Sequence, residues 1–87
     1  MEKFLENNKE YLLKIYQENI KLQGEGILFI DYTQSDKGNV DCSFVPTNKI
    51  ENFCSKNKYL NYLIVKEAIL KKAPFIIFNK DNIYFLL

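Results

Sequence analysis

The sequence predicts an α+β fold: a helix, a β-hairpin, a helical region and a second hairpin, forming a four-stranded antiparallel sheet with helices mainly on one face. Three observations predict it. Apolar residues recur at helical spacing near the N-terminus, two β-branched and aromatic runs flank a polar turn before Pro46, and Pro74 separates a second apolar stretch from two short strands.

The first helix runs from Phe4 to Leu22. Leu5, Leu12, Tyr16 and Ile20 recur at helical spacing, while Phe4, Tyr11 and Ile15 widen the covered arc. Gly24 is placed to end it, and Glu10 and Lys14 have the four-residue spacing of a surface ion pair. Two strands follow, Ile27 to Thr33 and Asn39 to Val45, joined by residues 34–38, in which Gly38 supplies the positive φ of a bulged connection. In the simplest register Leu28, Ile30 and Tyr32 share a face with Val40, Cys42 and Phe44, and that face meets the helix. The same register sets Asp31 across from Asp41.

Pro46 ends the second strand, and Asn48 with Glu51 three residues later reads as a capping box for a short helix through Phe53. A break near Ser55 and Asn57 precedes a longer helix between Lys58 and Lys72, whose closing lysines suit the negative dipole end. Pro74 blocks its continuation. Phe75 to Phe78 then pairs with Ile83 to Leu86 across residues 79–82. Ile76 and Phe78 share a face with Ile83 and Phe85, and Phe75 and Ile77 share the other with Tyr84 and Leu86, so both faces are apolar.

Length and composition bound the function. The 87 residues, 47% hydrophobic, 15% aromatic and 26% charged, suit one packed interaction domain over 1–87, with a radius of gyration of about 12 Å. There is no run of eighteen apolar residues and no signal-peptide pattern, so the expectation is a cytoplasmic chain with no membrane contact. The two cysteines are expected as free thiols, Cys42 in the core and Cys54 nearer the surface. Through Asn48 five Lys face eight acidic residues, a net of −3; from Lys49 seven Lys face three acidic residues, a net of +4. Such asymmetry steers association.

Several chemistries lack their parts. There is no His, hence no imidazole base or zinc ligand, and the cysteines do not form a Cys-x-x-Cys pair. Neither a metal nor a cofactor is expected. Gly24-Glu25-Gly26 precedes a strand, whereas phosphate-binding glycines follow one. Every basic residue is lysine, so no guanidinium fork is present to read a base edge.

What remains is an excess of apolar surface. The Tyr59–Leu70 segment is apolar around nearly its whole circumference, and a two-layer domain would leave the second face of the last hairpin open. The expected function is therefore a non-catalytic protein-interaction domain, an adaptor or small inhibitory factor. It would be a homo-oligomer or cap another protein, using Tyr59, Tyr62, Ile69, Phe75, Ile77, Tyr84 and Leu86. One alternative is a weak single-stranded nucleic-acid binder, with Lys56, Lys58, Lys71 and Lys72 on phosphate and Tyr59 or Tyr62 stacking on a base. Another is a small enzyme using Asp31 and Asp41 as an acid/base pair.

Overall fold

A computed structural model describes residues 2–32 and 41–86. Helix α1 (Glu2–Gln23) leads into strands β1 (Gly26–Asp31) and β2 (Asp41–Pro46). A tight turn at Thr47–Lys49 precedes α2 (Ile50–Ser55) and α3 (Tyr62–Leu70), and strands β3 (Phe75–Phe78) and β4 (Ile83–Leu86) close the order. The expected Gln34–Gly38 connection lies outside the described residues.

The sheet is four-stranded in the order β2-β1-β3-β4. Both hairpins form in the expected registers: Asp31 lies opposite Asp41, and Ile77 opposite Tyr84. The hairpins meet through β1 and β3, which run parallel, with Leu28 opposite Phe75 and Ile30 opposite Ile77. The sheet is therefore mixed, not antiparallel throughout. The connection from β2 to β3 passes through α2 and α3 and lays those helices over one face of the sheet.

The helices consequently occupy both faces, which corrects the expected one-sided arrangement. On one side Leu12 of α1, with Phe4, Leu5, Leu13, Ile15 and Tyr16 around it, packs on Leu28, Ile30, Phe75 and Ile77. On the other, Ile50 and Cys54 of α2 and Val65 and Ala68 of α3 pack on Ile27, Phe29, Ile76 and Phe78. The consecutive runs Ile27–Ile30 and Phe75–Phe78 are buried on both sides, the pattern of central strands in a three-layer stack. The Cα radius of gyration is 12.0 Å, that of one packed globule of this length.

Local chemistry sets the element ends. Gly24 adopts φ +82° and donates its N–H to the Ile20 carbonyl at 2.9 Å, closing α1. Gly26 is required sterically, because a Cβ there would collide with the Val45 carbonyl and the Phe44 ring. The Asn48–Glu51 capping box does not form. Lys49 occupies the N-cap position of α2 without a side-chain bond, and the preceding tight turn leads the backbone in. At α3 the cap is Asn61, whose Oδ1 accepts the Leu63 N–H at 2.9 Å, so the helix starts after Tyr59 and Leu60. Its other end is a Schellman turn: Lys72 N–H donates to Ile69 O at 3.1 Å and Ala73 N–H to Ala68 O at 3.0 Å, with Lys72 left-handed at φ 56°.

Candidate functional site

The residues expected at an interface separate into three groups. Phe75 and Ile77 are 4% and 1% exposed, sealed beneath α1, and present nothing to a partner. Tyr59, Tyr62 and Ile69 are half-buried against the core under α2 and α3. Tyr84 alone among the described side chains of the expected set is exposed, at 46%, and it lies on the sheet's terminal strand. Leu86 is described through its backbone, which pairs with Phe75. The open sheet face inferred from two-sided apolar strands does not exist over β1 and β3, because a helix layer covers each side.

The apolar circumference of the Tyr59–Leu70 segment is resolved in part. Val65 and Ala68 are fully buried, while Leu63 and Leu70, seven residues apart on the outward stripe, are each 76% exposed. On α1, Tyr11 and Leu22 are exposed at 64% and 83%. The helical spacing of Leu63 and Leu70 was present in the sequence, but only the side chosen by Val65 and Ala68 identifies them as outward.

The lysines of the nucleic-acid alternative are not assembled. Lys56 and Lys58 follow α2, whereas Lys71 and Lys72 follow α3, so the length of α3, about 14 Å, stands between the pairs. Lys71 Nζ contacts Glu67 Oε1 at 3.1 Å and lies 5.7 Å from the Phe85 ring centre. Lys72 Nζ is 3.7 Å from Glu25 Oε1. Lys58 lies over its neighbour Tyr59, 5.2 Å from the ring centre, which occupies the face a base would need.

Asp31 and Asp41 are paired, and the position of the pair decides what it can do. They end β1 and β2 at the edge of the described chain, with Asp31 half-buried and Asp41 exposed. A cleft of about 280 Å³ lies at the opposite end of β1, lined by Tyr16, Glu25, Gly26, Thr47, Ile69 and Lys72 among others. The length of β1, about 17 Å, separates the carboxylates from it. In that cleft the Tyr16 hydroxyl is raised above its ordinary range by burial and by the Glu25 carboxylate, which opposes its use as a base near neutrality. Among the described residues no cluster of three or more metal-ligating side chains forms.

The cysteine expectations are reversed. Cys42 is exposed because it sits on the edge strand β2, where Asp41 to Ser43 lie at the surface. Cys54 is buried because it follows Ile50 by four residues on the inner side of α2. Partial desolvation and then the Asp41 carboxylate raise the Cys42 thiol, and burial raises that of Cys54. Neither is a poised thiolate.

The feature missed at the sequence level is the position of β4. Strand order is not a local property, and only the assembled sheet places Ile83–Leu86 at an open edge without a charged side chain. No family model matches the chain, and neither a curated protein nor a solved structure matches it, so function rests on this geometry.

Proposed function

We propose that this chain is a non-catalytic, cytoplasmic protein-interaction domain, an adaptor or small inhibitory factor, that binds by adding a strand to the edge of β4. The observation that carries the reading is the edge itself, a terminal strand of Ile-Tyr-Phe-Leu with no charge or proline and with Tyr84 exposed. An extended segment laid beside such a strand gains main-chain hydrogen bonds for affinity and alternate side-chain contacts for selectivity. The other sheet edge is blunted by Pro46, which has no N–H to offer, and by Asp41.

The test uses the full chain and a fluorescent peptide of residues 79–87, in which Ile83–Leu86 supplies the apolar strand and the polar residues before it supply solubility. Anisotropy should rise saturably on titrating dilute chain, and Tyr84→Pro, which disrupts β4, should abolish the rise. Circular dichroism should show that α1 and the first hairpin persist in the variant. A folded wild-type chain that shows no saturable binding overturns the proposal.

A further inference from the structure

We propose that the partner β4 fits is a second copy of this chain, the two β4 strands joining antiparallel across a two-fold axis at Tyr84 to make one eight-stranded sheet. This rests on the interaction-domain reading and names its partner. The hydrogen-bond phase of the sheet carries the argument. Leu28 N–H donates to Pro74 O at 3.0 Å, so the alternate positions Pro74, Ile76 and Phe78 turn their backbone groups toward β1. Phe75 and Ile77 therefore turn theirs toward β4, where they face Leu86 and Tyr84.

The N–H and C=O groups of Ile83 and Phe85 then point away from β3 into the open edge. The hairpin turn reports the same phase independently: Asn79 N–H donates to Asn82 O at 2.9 Å, and alternation from that bonded pair again leaves Ile83 and Phe85 facing outward. Among the described residues no backbone bond reaches those outward groups.

A two-fold axis normal to the sheet reverses strand direction while keeping each residue on its own face. A residue at the axis must therefore face its own copy. With Tyr84 on the axis, Ile83 of one copy lies opposite Phe85 of the other, and the outward groups satisfy one another entirely within β4. Moving the axis to Ile83 or Phe85 leaves one of these residues facing chain outside the strand. The chosen register also sets a β-branched residue against an aromatic twice, on the side where both already pack on the core beneath α3. No charged side chain lies within the paired strand, so no like charges meet at the axis.

Two four-residue strands bury less than the roughly 1,200 Å² of a standard interface, so the dimer forms reversibly, with a dissociation constant on the order of micromolar or weaker. Sedimentation velocity over a wide concentration series should show a monomer passing to a dimer. Tyr84→Lys and Tyr84→Glu should each weaken dimerisation by at least about tenfold, because like charges then meet at the axis. An equimolar mixture of the two variants should recover it.

Amide exchange provides a second measurement that needs no substitution. The Ile83 and Phe85 amides should slow as concentration rises, while Tyr84, already bonded to β3, should not respond. A dimer unaffected by either charge, or exchange at Ile83 and Phe85 independent of concentration, overturns the register. A wild-type chain monomeric at every concentration that still binds the 79–87 peptide overturns self-pairing alone. A chain that does neither overturns the interaction-domain reading as well.

Discussion

Lys72 holds a left-handed backbone at φ 56° in the turn that closes α3, a position where glycine carries no Cβ penalty. Its ion pair with Glu25 joins two side chains that are each 82% exposed, so little opposes its replacement. Lys72→Gly should raise stability by about 0.5–1 kcal/mol in urea titrations, whereas Gly24→Ala, at φ +82° with open space around it, should lower it by about 1 kcal/mol. The thiols supply a second test. Cys42 should react with a maleimide in the folded chain and Cys54 only on opening, because one is exposed and the other buried. Partial desolvation beside the Asp41 carboxylate favours the protonated form at the exposed Cys42, and burial does so at Cys54, so their contribution to stability is full below the ordinary thiol value of about 8.5 and is lost as pH rises through the raised folded values. Urea midpoints should therefore fall on the alkaline side, and fall less in Cys54→Ala. The sequence misplaced these thiols for a definable reason. Alternation correctly put Cys42 on the α1 face with Leu28 and Ile30, but it carries no information about distance from the sheet's edge.

Elements were legible where their determinants are local. The β1–β2 and β3–β4 registers follow from short connections and alternation, and both form as the sequence predicts. The cap of α2 did not follow its motif: Asn48 and Glu51 have capping-box spacing, yet Asn48 falls inside the tight turn at Thr47–Lys49. Asn61 does cap, and it starts α3 three residues later than the apolar run suggests. Removing its Oδ1 by Asn61→Ala should leave the Leu63 N–H without that acceptor and cost about 1 kcal/mol in chemical denaturation. An unchanged midpoint would mean that solvent replaces the bond at no cost. The β1–β3 pairing could not be read from either hairpin, since it depends on which edges meet and in which direction.

In the assembled fold, β1 and β3 are apolar on both sides because they are central, whereas β4 carries the same pattern at the sheet's edge. Phe29 is 1% exposed, with its ring centre 4.8 Å from that of Phe53, and so joins β1 to α2. Phe29→Ala should cost about 3–5 kcal/mol, while Leu63→Ala on the outer surface of α3 should stay within about 0.5 kcal/mol. Thermal melts of the two variants would separate core from surface and test the assignment of Leu63 to the outward stripe. The parallel pairing of β1 with β3 also sets an order of events during synthesis. Leu28 meets Phe75, a residue made 47 positions later, so a nascent chain that has emerged through Lys72 carries β1 with one flank unoccupied. Ile27 to Ile30 must then wait in the growing chain for Phe75 to Phe78, although the first hairpin can close as soon as Pro46 is made. Within the sheet, the β1–β3 pairing thus demands the widest loop closure, and until it forms Ile27 to Ile30 keep one flank open, which is when the growing chain has most need of a chaperone.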